Sequence, residues 1–145
     1  MSNTTACIAD TLSAQPRPLA EIGDDKTARV LLIEDDRTTR RMVAKSLKDH
    51  CELVEAASAS QGISAYNAFQ PDLVFMDIGL PDGDGQNLLS WITHNDPGAF
   101  VVMFSGHSDS DNIIRSIDSG ARGFITKPFD LNKMLYFLRI CPKLH

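Results

Sequence analysis

The chain has 145 residues, of which 43% are hydrophobic, and its 14 basic and 19 acidic side chains leave a formal net charge of −5. That length suits one compact domain, the apolar content excludes a disordered chain, and the acidic balance excludes the basic surface of a general nucleic-acid binder. The longest apolar runs fall far short of the ~18 residues that span a bilayer, and Cys7, Cys51 and Cys141 are too scattered to form a disulfide framework or a CxxC pair.

Residues 1–27 are rich in Ser, Thr, Ala, Asp and Pro and show no sustained period, which predicts a flexible leader ahead of a single domain over 28–145. No basic residue precedes Arg17, and the apolar stretch 6–9 stops at Asp10, so a secretory signal is not expected and the predicted location is the cytoplasm. From residue 29 a rhythm begins. Short apolar runs at 30–33, 53–54, 73–76, 100–104 and 123–126 read as strands, and several are continuous rather than alternating. Continuous runs are what a parallel strand covered by helices on both faces requires.

Each gap between runs holds one helix with its own start signal. Asp36 caps a helix carrying Met42, Val43 and Leu47; Ser58 with Gln61 forms a capping box for one carrying Ile63, Tyr66 and Phe69. Leu88, Leu89 and Trp91 mark the third, which ends near Asp96, and Ser108 caps a fourth with Ile113, Ile114 and Ile117. Asp130 caps the last, bearing Leu131, Met134, Leu135 and Leu138. The expected fold is an α/β, doubly wound, open five-stranded parallel sheet built from five βα units.

Polar residues stand where the apolar runs stop. The first ends at Glu34, Asp35 and Asp36, the third at Asp77, the fourth at Ser105, and the fifth runs into Lys127. In such a sheet, ligands bind outside the carboxyl ends of the strands, where the order reverses. If the first and third strands are neighbours, Glu34, Asp35 and Asp77 meet there, with Ser105 and Lys127 expected on the far side of Asp77. Two unit charges ~5 Å apart at an effective dielectric of ~20 repel by roughly 3 kcal/mol. A lysine ammonium offsets part of that, and Mg²⁺ more, since it takes a few hard oxygen ligands and keeps waters that a phosphate displaces. A carboxylate beside such a cation can attack phosphorus to give an acyl phosphate.

The runs Ile33-Glu34-Asp35-Asp36, Asp72-Leu73-Val74-Phe75-Met76-Asp77, Leu80-Pro81-Asp82-Gly83-Asp84-Gly85, Met103-Phe104-Ser105-Gly106 and Gly123-Phe124-Ile125-Thr126-Lys127-Pro128-Phe129 together resemble the receiver domain of two-component response regulators, the CheY-like superfamily. The resemblance covers residues 29–140 and implies a flavodoxin-like (βα)5 fold with strand order 2-1-3-4-5. It implies that Asp77 is the phosphoacceptor, that Asp35, Asp77 and the Gly79 carbonyl ligate Mg²⁺ with Glu34 acting through water, and that Lys127 binds the phosphoryl group. It further implies a cis Lys127-Pro128 bond, a switch made of Ser105 and Phe124, and an influence of Gly79 and His107 on phosphoryl lifetime.

The implied partners are a sensor histidine kinase or histidine phosphotransfer protein and a downstream protein target, with no direct nucleic-acid contact and no enzyme activity beyond the receiver's own phosphorylation and dephosphorylation. Arg115, Asp118 and Arg122 show no pairing pattern, so the oligomeric state stays open. A haloacid-dehalogenase-type phosphatase is the enzyme alternative, but it needs a general acid at position 79, which is Gly, and a nucleophile after the first strand. A non-phosphorylated binding module would lack the acceptor or the lysine, and both are present. The chain stops soon after the fifth helix, as expected of a stand-alone receiver or of a fragment; the ending Leu144-His145, without tag or linker, favours a complete protein.

Overall fold

Successive residues of the first strand face opposite ways, and both ways are apolar. In the computed structural model, which describes residues 28–106, 110–128 and 130–142, β1 (Ala28–Ile33) sends Val30 and Leu32 into one cluster and Leu31 and Ile33 into another. The first cluster joins Phe75, Val102 and Phe104 to helices α1 (Arg37–Leu47) and α5 (Leu131–Ile140) through Val43, Leu47, Met134 and Leu138. The second joins Met76, Val101 and Met103 to α2 (Ala59–Phe69) through Ile63 and Tyr66, and to α3 (Gly85–Asn95) through Leu88, Leu89 and Ile92. Full burial of each such side chain contributes about 1.5–3 kcal/mol, so the sheet is stabilised from both sides.

The remaining strands are β2 (Cys51–Ala56), β3 (Leu73–Asp77), β4 (Val101–Ser105) and β5 (Gly123–Thr126), all parallel, in the order β2-β1-β3-β4-β5. This is the predicted order. β2 is longer than the run at 53–54 suggested. Pairing with β1 from Ala28–Cys51 to Ile33–Ala56 recruits Glu52 and Glu55, which have no apolar signal because an edge strand keeps part of its surface in water.

Helix starts follow the local chemistry. Asp36 accepts from the Thr39 N–H at 2.8 Å, and Asp130 from the Asn132 N–H at 2.9 Å. Ser58 accepts from the Gln61 N–H, while Gln61 reaches back to the N–H of Ala57, one residue earlier than the usual box. Asp82 and Asp84, which read as turn formers, have larger tasks. Asp84 caps α3 through the Gln86 N–H. Asp82 accepts from the N–H groups of Ala59 and Ser60 at 2.7 and 3.0 Å, stitching the connection after β3 onto the start of α2. Within that connection Gly79–Leu80 pairs with Gly83–Asp84 as a short antiparallel ladder.

The predicted leader, the Ser108 cap and His107 lie outside the described residues, and the fourth helix, α4, is described from Ser110 to Asp118. No helix among the described residues is long and apolar enough to cross a membrane.

Candidate functional site

The chain leaves β1 and β3 in opposite directions, which opens a crevice at their carboxyl ends. Glu34 follows β1 and is fully buried; Asp77 closes β3 and is 7% exposed; Asp35, next to Glu34 in the chain, is open to solvent. One carboxylate oxygen from each lies within 4.8 Å of the others. Ser105 closes β4, the strand beside β3, and is buried.

Lys127 reaches the site from the far side of Asp77. It leaves β5, two strands away from Asp77, and its N–H donates to the Ser105 carbonyl at 2.9 Å. Its ammonium nevertheless passes over the Phe104 ring, 5.2 Å from the centroid, and reaches Glu34 Oε1 at 2.7 Å as well as Asp77 Oδ2 at 3.3 Å. The lysine stem is long enough to bridge the site rather than stay on the far side of it. The Lys127-Pro128 bond is cis. The other oxygens are also engaged: Glu34 Oε2 accepts from the Asp36 N–H at 3.0 Å and Asp77 Oδ1 from the Ile78 N–H at 2.8 Å.

Burial dominates the electrostatics. It pushes the Glu34 carboxyl up from 4.5 to about 7, although the Lys127 ammonium and the Asp36 N–H pull the other way. Burial also opposes the charge on Lys127, but Glu34 and Asp77 outweigh it and hold the ammonium above its ordinary range. A carboxyl that protonates more readily in the folded state contributes stability that is complete below its unfolded value and fades as pH rises through its folded one. Metal-free protein is therefore expected to lose about 5 °C or more of Tm between pH 5.5 and 8, and Glu34→Gln to flatten that slope. Asp36, held low by the Thr39 hydroxyl and N–H, and Asp82, held low by the Ser60 and Ala59 N–H groups, ionise well below this window. Calorimetry of both proteins in a chelator checks it.

Three supports escaped the sequence reading. Arg40, on the first turn of α1, donates to the carbonyls of Glu34 and Asp35 at 2.9 and 3.3 Å and pairs with Glu55, so it holds the acidic loop in place. The only hint was a basic residue one helical turn beyond the acidic pair. Gly85 abuts Asp77: a Cβ there would stand 2.2 Å from the Asp77 carbonyl oxygen. Phe104, beneath the lysine, read simply as core.

Gly79 is exposed and a side chain at that position would meet nothing within 4 Å. It lines an open depression of about 580 Å³ with Ile78, Leu80, Gly83, Asp84 and Asn112. Phe124 is half-buried against the cluster that includes Met76 and Met103. Trp91 packs edge-on to Tyr66 with centroids 6.4 Å apart, a packing role on the α2–α3 side.

Comparison with known proteins agrees with this geometry. The family model for the response regulator receiver domain matches residues 30–139. The chemotaxis protein CheY of Bacillus subtilis is 37% identical over 111 residues, 74% of this chain and 92% of that protein. CheY of Listeria monocytogenes is 32% identical over 117 residues, covering 79% and 98%. The KDP operon transcriptional regulatory protein KdpE of Escherichia coli is 31% identical over 121 residues, of which the chain spans 52%. Among solved structures, a CheY-like receiver domain protein from Methanospirillum hungatei superposes with a TM-score of 0.74 at 27% identity, covering 79% of this chain and 92% of that one.

Proposed function

This chain belongs to the response regulator receiver domain family, whose general function is phosphorylation-controlled signalling, and from that premise we propose that Asp77 is its phosphoacceptor. The observation that carries the reading is the placement of one ammonium, Lys127 Nζ, 2.7 Å from Glu34 and 3.3 Å from Asp77, within a trio of carboxylates whose oxygens lie within 4.8 Å of one another. Such a trio is costly unless it serves a cation and an incoming anion.

The donor set fits Mg²⁺: all ligands are hard oxygens, and exposed Asp35 leaves room for retained water. Asp35, Asp77 and the Gly79 carbonyl would hold the ion, with Glu34 acting through water, and when bound it supplies charge neutralisation for the phosphoryl oxygens. Asp77 attacks the phosphorus of a phosphohistidine on the donor. The new bond is Asp77 oxygen to phosphorus, the bond that breaks is phosphorus to imidazole nitrogen, and the leaving imidazole keeps the electron pair and takes a proton. Lys127 balances charge on the phosphoryl oxygens, and the Ser105 hydroxyl donates to one of them.

The donor is a sensor histidine kinase or a histidine phosphotransfer protein, the readout is a downstream protein, and the location is the cytoplasm. A phosphoryl dianion takes the place of one carboxylate charge, and this net gain of about −1, together with three new acceptor oxygens, biases a two-state equilibrium in which Ser105 and Phe124 move. The chain is a signalling module, and its proposed chemistry is confined to its own Asp77. Incubation with acetyl phosphate and Mg²⁺ is expected to give one phosphoryl group per chain, in the peptide containing Asp77, and none in a chelator. Absence of the adduct under both conditions would turn the reading towards a binding module that works without phosphorylation.

A further inference from the structure

α4 is fastened to the protein by polar groups. Ile114 and Ile117 are 58% and 49% exposed, and the one buried side chain among its described residues is Ser116. Ser116 is held by Gln86, which lies on the first turn of α3 and is 1% exposed. Gln86 Nε2 donates to Ser116 Oγ at 3.0 Å and to the Asn112 carbonyl at 3.2 Å, while Ser116 Oγ donates to that same carbonyl at 2.8 Å. A carbonyl can only accept, so the orientation of the amide is determined. Gln86 Oε1 is left buried without a donor among the described residues.

The other end of this connection is Asp77. Gly85, next to Gln86, donates its N–H to the Ile78 carbonyl at 2.7 Å and packs so closely on the Asp77 carbonyl that no Cβ fits between them. A backbone shift at Asp77 therefore reaches Gln86 without slack. Outside, Arg115 and Asp84 add a 3.7 Å pair between exposed side chains, which is a weak tie. A helix secured by apolar burial resists displacement in proportion to area. One secured by a few directional hydrogen bonds is freed when those few bonds are exchanged, and an unsatisfied buried acceptor beside them carries a desolvation cost that another arrangement can relieve.

We propose that Gln86 is a polar latch coupling Asp77 to the position of α4. Its amide holds α4 as seen here, and modification of Asp77 releases it, so that Oε1 gains the donor this arrangement denies it. The latch rests on the reading of Asp77 as phosphoacceptor. Hydrogen exchange of the full chain, with phosphoryl content read from intact mass, tests both. Gln86→Met, close in shape and apolar, is expected to speed exchange across 110–118 about fivefold before any phosphorylation. Ser116→Ala should do so less, and β1 and β3 should stay protected in both. With acetyl phosphate and Mg²⁺, wild-type α4 should approach the exchange rate of Gln86→Met, whereas the variant should change little at a phosphoryl content within about twofold of wild type. Wild-type exchange in Gln86→Met, or faster exchange in β1 and β3 as well, overturns the latch. A wild-type adduct with an unresponsive α4 sinks the latch alone; no adduct at all removes the reading of Asp77, and the latch with it.

Discussion

Asp77→Asn is expected to abolish phosphoryl transfer, with a loss of at least about 10⁴-fold, and to leave the fold intact. The amide oxygen carries no full negative charge and is a poor nucleophile, so the covalent step has no substitute in the site. The same substitution removes one of three crowded carboxylates, and two such charges ~5 Å apart cost roughly 3 kcal/mol at an effective dielectric of ~20. Lys127 keeps its 2.7 Å partner Glu34, so no buried ammonium is stranded. Metal-free Asp77→Asn should thus be at least as stable as wild type while its Mg²⁺ affinity falls by about tenfold or more. Intact mass after acetyl phosphate, metal titration and calorimetry check the three parts. An adduct at the wild-type level would move the chemistry to another residue.

Gly85→Ala has the largest expected effect on the fold. The added methyl would lie 2.2 Å from the Asp77 carbonyl oxygen and 2.8 Å from the Ile78 Cα and carbonyl oxygen. These are backbone atoms at the centre of the site, with no rotamer to swing aside. Relief requires moving either the start of α3 or the end of β3, and overpacking of this kind costs about 3 kcal/mol, sometimes more. Tm should fall by about 10 °C or more, and phosphorylation of whatever remains folded should slow about 10²-fold, because Asp77 would be displaced from its position opposite Lys127. Gly79→Ala is the control: a methyl there meets nothing within 4 Å, so stability should change by less than about 0.5 kcal/mol. Equal effects of the two substitutions would show that the close approach at Gly85 does not matter.

The contrast between these two glycines illustrates what a linear reading reaches. Both stand within residues 79–85, and nothing in the residue type tells one glycine from the other. Only the packing of α3 onto the end of β3 separates them. Asp82 and Asp84 divide in the same way, one capping a helix 22 residues earlier in the chain and the other the helix it precedes.

What the amino-acid order determined by itself was local and periodic: continuous apolar runs that demand cover on both faces, cap residues ahead of each helix, and a carboxylate, hydroxyl or ammonium at the point where each run stops. Those signals sufficed for a doubly wound parallel sheet and singled out Glu34, Asp35, Asp77, Ser105 and Lys127 as candidates, because a polar residue ending a buried strand is visible without knowing its neighbours; the strand order came with the family resemblance. The tertiary structure alone decided which groups touch: Lys127 crossing to Glu34, Arg40 on two loop carbonyls, Gly85 against Asp77, Gln86 on Ser116. The physical reason is that such contacts depend on how segments far apart in the chain are packed, and a few ångströms of packing distance leave no trace in the composition or period of either segment.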